Sequence, residues 1–170
     1  MIRVVMLDEF DAKQVVDLSK LLYTSFGVGC EVVGVRPVPA GVGDPIVPSR
    51  LLEKLDNITA YPDDKVLVLT SRPLADRPVP SGTAPSIGYA QQGLSRALVS
   101  THPATDLESS FKLISRNALH QLGHTWELHH CLDPRCAMYP PWTPSFQTGE
   151  AMFCNFCRDK SDHKIRLAKS

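Results

Sequence analysis

The chain has 170 residues, enough for one compact domain with a sizeable core and too few for a second full domain. Its 18 basic and 18 acidic side chains cancel, and no long basic run occurs, so the sequence carries no electrostatic footprint for nucleic acid. No stretch reaches about 18 consecutive apolar residues, which excludes a helical membrane span on length.

Ile2 to Leu7 is short, apolar and β-branched, and Val15, Leu18, Leu22 and Phe26 then recur at helical spacing, so a strand followed by a helix over Asp11 to Phe26 is predicted. Val28 to Val38 favours a second strand, and GVRPVPAGVGDPIVPS reads as a loop of chain-breaking residues. Ser49 is the expected cap of a helix over Arg50 to Ile58. The unbroken apolarity of VLVLT within Lys65 to Ser71 marks a central buried strand. Residues 72–86 form a second Pro-rich loop, and short strands are expected at Ile87 to Gln91 and at Arg96 to Ser100. Thr105 and Glu108 have capping-box spacing and open a helix predicted to run to about Trp126, packed through Leu107, Phe111, Ile114, Ala118 and Leu122. Asn117, His120 and His124 share a different face of it. After His130 no long periodic pattern remains, and KSDHKIRLAKS is expected to be a solvated tail. The alternation of strands and helices implies an α/β layer architecture.

The chemistry is concentrated between His120 and Cys157. Residues i and i+4 lie on one helix face about 6 Å apart along the axis, so His120 and His124 can grip one ion. A continued helix would swing His130 roughly 240° away from His124, so a third ligand requires the chain to turn near Glu127. His129 competes with His130 for that third position, whereas His102 and His163 have no comparable spacing. Three neutral imidazoles leave a zinc ion its charge and an open position, where the pKa of a water drops toward about 7.

Cys131 and Cys136 form one pair and Cys154 and Cys157 a second, the ligand pattern of a structural zinc site. A disulfide framework is the competing reading. The opening MIRVVMLDEF lacks the apolar core and cleavage pattern of a secretion signal, so a reducing cytoplasmic setting is expected. Cys30, in an apolar run, reads as a small buried hydrophobe.

HQLGHTWELHHCLDPRCAMYP followed by CNFC resembles the extended signature of the archaemetzincins, a branch of the metzincin zinc metallopeptidases. The matched positions are His120, His124, His130, Cys131, Cys136, Met138, Cys154 and Cys157. The resemblance implies a single metzincin-like αβα domain over 1–170, with a mixed, mostly parallel twisted sheet and a zinc-binding helix in residues 1–130. A small loop-rich part with a structural zinc site follows in residues 131–170. It implies two zinc ions, one at the three histidines and one at the four cysteines, with Met138 as the Met-turn floor beneath the first. A peptide substrate would lie along the edge strand Gly88-Tyr89-Ala90-Gln91, since a sheet edge can accept a peptide as a further strand. A monomer is expected.

Two positions depart from the family pattern. Gln121 stands where the family has its catalytic glutamate, and a carboxamide has no useful basicity near neutral pH. The resemblance therefore implies weak or absent peptidase turnover, or a peptide-binding protein without chemistry. Glu127 replaces the motif glycine, either as a solvated turn residue or as a substitute carboxylate aimed into the site.

Overall fold

Three short strands with alternating side chains build the centre of the sheet. In the computed structural model, which describes residues 1–55, 63–75, 87–141 and 150–169, β1 (Ile2–Met6), β3 (Lys65–Thr70) and β5 (Arg96–Ser100) run parallel to one another. Successive side chains of a strand point to opposite faces. Ile2, Val4, Met6, Leu67, Leu69, Ala97 and Val99 thus enter one buried cluster, and Val5, Val66, Val68 and Leu98 enter a second. β2 (Cys30–Val35) joins β1 in parallel at one edge, and β4 (Gly88–Ala90) joins β5 antiparallel at the other, giving the order β2-β1-β3-β5-β4.

Helices cover both faces. α1 (Ala12–Phe26) and α3 (Leu107–Thr125) contribute Leu18, Leu22, Ile114, Ala118 and Leu122 to the first cluster. α2 (Pro48–Glu53) contributes Leu51 and Leu52 to the second. This is the αβα arrangement with a mixed, mostly parallel sheet that the sequence predicts. Among the described residues, no helix is long and apolar enough to cross a membrane.

The element boundaries differ in instructive ways. α2 starts one residue before Ser49: Val47 is its cap, with no side-chain bond, and Pro48 takes the first turn, where its missing N–H costs nothing. The predicted end at Ile58 lies outside the described residues, as do residues 76–86 of the second Pro-rich loop. α3 is capped by Asp106 and not by Thr105: the Asp106 carboxylate accepts from Ser109 N at 2.8 Å and also from the Ser109 hydroxyl. Leu107 consequently falls in the first turn and projects outward, 63% exposed, so the packing stripe begins at Phe111. β2 is shorter than Val28 to Val38, with a register shift opposite Val4 and Val5 and Gly34 at φ 106°.

The largest difference is at the end of the chain. Asn155–Ala168 form a helix, α4, that packs on α1 and buries Cys157, Ser161 and Ile165 at i, i+4 spacing. The segment read as a solvated tail is therefore partly anchored.

Burial separates two leucines sharply. Leu67→Ala, at a fully buried position of the central strand, is expected to lower unfolding stability by about 2–5 kcal/mol. Leu107→Ala should stay within about 0.5 kcal/mol. Urea denaturation of the two variants beside wild type makes the comparison.

Candidate metal centre

The way α3 ends decides where the third histidine goes. After the cap residue Trp126, Glu127 adopts φ 60°, the one non-glycine residue in the left-handed region among those described. Glu127 N donates to His124 O and Leu128 N donates to Gly123 O, both at 3.0 Å, which is the paired bonding of a Schellman stop. Further donors close the helix end: Gly93 N bonds His124 O at 2.9 Å, and Lys65 Nζ bonds Thr125 O at 2.8 Å. The predicted turn at Glu127 thus exists, built without the glycine the family pattern carries. The Glu127 side chain turns to an ion pair with Lys164 on α4, which holds its carboxyl below the usual range. It supplies no carboxylate to the histidines.

That turn brings His130 back over the helix. The nearest ring nitrogens of His120, His124 and His130 lie within 4.8 Å of one another. His120 Nδ1 is 2.7 Å from Ala137 O and His124 Nδ1 is 2.8 Å from Leu128 O. Carbonyls only accept, so both Nδ1 atoms carry the proton and both Nε2 atoms present lone pairs. Those two Nε2 atoms are 3.1 Å apart. Two lone pairs held face to face repel unless a cation sits between them, and tetrahedral zinc with bonds near 2.0 Å spaces its nitrogens about 3.3 Å apart. The donor set therefore fits zinc. Burial pushes the pKa of His120 well below its ordinary value, and it lowers those of His124 and His130 too, so the rings stay neutral and ready to ligate. His130 is the exposed member, and the group opens to solvent on its side. His129 lies outside the group, 2.9 Å from the Gln92 amide, and His102 and His163 are exposed elsewhere.

Met138 is fully buried beneath this helix. A Cβ on Gly123, the residue just before His124, would lie 2.5 Å from the Met138 sulfur and 3.3 Å from a Leu128 methyl, so a side chain there forces Met138 to shift. The sequence reading passed over Gly123. A glycine inside a strong helical pattern is the signal that it has a packing reason.

Gln121 is buried and does not point at open space. Its Nε2 donates to Asn117 Oδ1 at 3.1 Å, and Asn117 Nδ2 in turn donates to Ile87 O at 2.6 Å. β4 starts at the next residue, Gly88, where a Cβ would lie 2.8 Å from both amide side chains. Two amides of α3 thus clamp the start of the predicted edge strand. β4 itself covers Gly88, Tyr89 and Ala90, with Gln91 just beyond it.

The four cysteines converge as a second group, with sulfurs within 4.8 Å of one another, and all are free thiols. Cys131 Sγ and Cys154 Sγ are 3.8 Å apart, far beyond a disulfide and equal to the edge of a tetrahedron with Zn–S bonds of about 2.3 Å. Backbone N–H groups of Met138 and Cys154 reach Cys136 Sγ and that of Asp133 reaches Cys131 Sγ, each at 3.4 Å. With a hydrogen bond from Cys157, they favour the Cys136 thiolate. Cys30 is apart from this group, half-buried in β2, where burial raises its pKa. Sequence reasoning also missed Arg116, which is 1% exposed and donates to the carbonyls of Pro134, Cys136 and Glu150.

Gly123→Ala leaves every ligand in place and drives a methyl group into Met138. It should lower stability by about 1–3 kcal/mol through overpacking, read by urea unfolding. The metal-free protein should also lose stability as pH falls below about 6.5. The unfolded chain takes up imidazole protons that the folded one refuses, so stability rises with pH through that window. Thermal unfolding of chelator-treated protein from pH 5 to 8 measures this.

Neither a protein-family model nor a curated protein matches the sequence. Solved structures do. A zinc-dependent peptidase from Methanocorpusculum labreanum is 21% identical, with 95% of this chain and 100% of that chain covered and a TM-score of 0.77. Archaemetzincin from Methanopyrus kandleri is 21% identical over 97% of this chain and 94% of that chain, with a TM-score of 0.75. Archaemetzincin from Archaeoglobus fulgidus, complexed with malonate, is 20% identical over 94% and 99%, with a TM-score of 0.72. With its layer order, sheet topology and helix-borne histidines set beside these likenesses, the chain has the archaemetzincin fold.

Proposed function

We propose that this protein is a zinc-binding member of the archaemetzincin family, with the substrate class of a metallopeptidase and a hydrolytic step disarmed at Gln121. One observation carries the reading: two Nε2 lone pairs are held 3.1 Å apart by backbone acceptors on Nδ1, with a third imidazole beside them and solvent on one side. A peptidase centre needs this arrangement, and a purely structural site has no use for the exposed flank. The likeness to a zinc-dependent peptidase and to archaemetzincins adds support.

His120, His124 and His130 would hold the first ion, and Cys131, Cys136, Cys154 and Cys157 the second. When bound at the histidines, zinc supplies Lewis-acid activation of water and of a peptide carbonyl. Met138 closes the floor beneath the helical pair. An extended peptide or protein substrate would lie along β4 at Gly88, Tyr89 and Ala90, extending to Gln91. The protein would act as a cytoplasmic monomer, its residues 1–130 forming the sheet and histidine helix and 131–170 the cysteine module.

Gln121 cannot take a proton from water at neutral pH, and its amide is committed to Asn117. General-base help is worth about 10²–10⁴-fold, so wild-type turnover is expected to be weak or undetectable. The clamp on β4 favours a second role in which the same cleft binds a peptide without cutting it.

Gln121→Glu tests the reading. It should raise hydrolysis of an unstructured protein substrate by about 10²–10⁴-fold over wild type, and chelation should abolish the gain. No gain, with zinc still bound, would leave peptide binding as the function. In metal analysis, His124→Ala and Cys157→Ala should each lose at least one equivalent from a two-zinc wild type. A wild type that holds zinc at the cysteines alone would overturn the reading.

A further inference from the structure

The histidine and cysteine groups are not two independent sites on one scaffold. Adjacent residues serve both: His130 belongs to the first and Cys131 to the second. Cys136 belongs to the second, and the carbonyl of its neighbour Ala137 is the acceptor that fixes His120 Nδ1 at 2.7 Å. The chain is then pinned back on itself, with Cys131 N donating to Met138 O at 2.9 Å and Ala137 N donating to Met152 O at 2.6 Å, close before Cys154. Met138, at the end of this short run, packs against Gly123 between the two helical histidines.

Arg116 joins the same assembly from the helix side. It sits one turn before His120 on α3, and its guanidinium bonds Cys136 O at 2.9 Å, Pro134 O at 2.8 Å and Glu150 O at 3.1 Å. It therefore ties both cysteine-bearing segments to the helix that carries His120 and His124. Its positive charge also faces a group that would be doubly negative with four thiolates around a divalent ion.

We propose that the cysteine group is the organiser of the histidine group: a divalent ion at the four thiolates sets the Cys136-Ala137-Met138 run, and that run, held to α3 by the positioning residue Arg116, sets the metal affinity of the histidines. The inference rests on the reading that both groups take a divalent ion. It adds an order of loading, cysteines first, and makes the loss of the thiolate-held ion a way of switching off the histidine centre. Linkage makes the coupling reciprocal, so occupancy at the histidines tightens the cysteines by the same factor.

Cobalt(II) separates the two groups, because thiolate ligation gives intense charge-transfer absorption and imidazole ligation only weak d–d bands. In wild-type apoprotein the thiolate signal should saturate at one equivalent before the imidazole bands grow; imidazole bands that grow first would overturn the proposal. Cys157→Ser should weaken cobalt binding at the histidines about 10–100-fold, the range for loss of groups that orient metal ligands. Arg116→Lys keeps all seven ligands and the charge but cannot span three carbonyls. It should weaken both groups, which a role confined to local packing would not do. Histidine affinity within about threefold of wild type in Arg116→Lys and in folded Cys157→Ser would sink the coupling, while the proposed function stands. Absence of imidazole bands in every protein, wild type included, would sink both.

Discussion

The position of the third histidine depends on where one helix stops. Had α3 continued past Thr125, His130 would emerge far around the axis from His124, and the pair at His120 and His124 would have no partner. The Schellman stop at Glu127 reverses the chain within three residues. It also points Leu128 O at His124 Nδ1, so one turn delivers the third imidazole and fixes the tautomer of the second. Lys65 and Gly93 come from elements remote in sequence: Lys65 Nζ satisfies Thr125 O, and Gly93 N adds a second bond to His124 O.

Because the turn is over-determined, it tolerates a residue other than glycine. Glu127 occupies a left-handed conformation that a side chain disfavours. The constraint is met by bonds from β3, from the segment after β4, and from Lys164 on α4. α4 thereby touches the turn as well as supplying Cys157, and the two metal-type groups share one framework of helix, turn and thiolate loop.

Much of this was legible in residue order. Short apolar, β-branched runs gave the strands, and the i, i+4 histidines and paired cysteines gave the two groups. Other features were hidden for physical reasons. α4 buries Cys157, Ser161 and Ile165, and a serine in the middle of the stripe together with a cysteine read as a ligand hides it from a hydrophobic pattern. Asp106 outcompetes Thr105 as a cap because its carboxylate reaches both donors of Ser109, a difference that spacing alone does not reveal. Arg116 reads as a surface charge, and only the folded loops place three carbonyls around it. Gly123 is explained only once Met138 arrives from elsewhere in the chain.

The amide at position 121 makes physical sense in its surroundings. Asn117 turns its Nδ2 toward Ile87 O and is left with an oxygen facing residue 121. An oxygen needs a donor opposite it, and a carboxamide has one whereas an ionised carboxylate does not. Burial weighs in the same direction, since a neutral amide loses far less than a carboxylate on leaving water. At this position an ionised carboxylate and the bond to Asn117 are opposed, and the neighbours favour the amide. The metal-binding geometry is untouched by that choice, because residue 121 lies on the strand side of the helix and the ring nitrogens are set by Ala137 and Leu128.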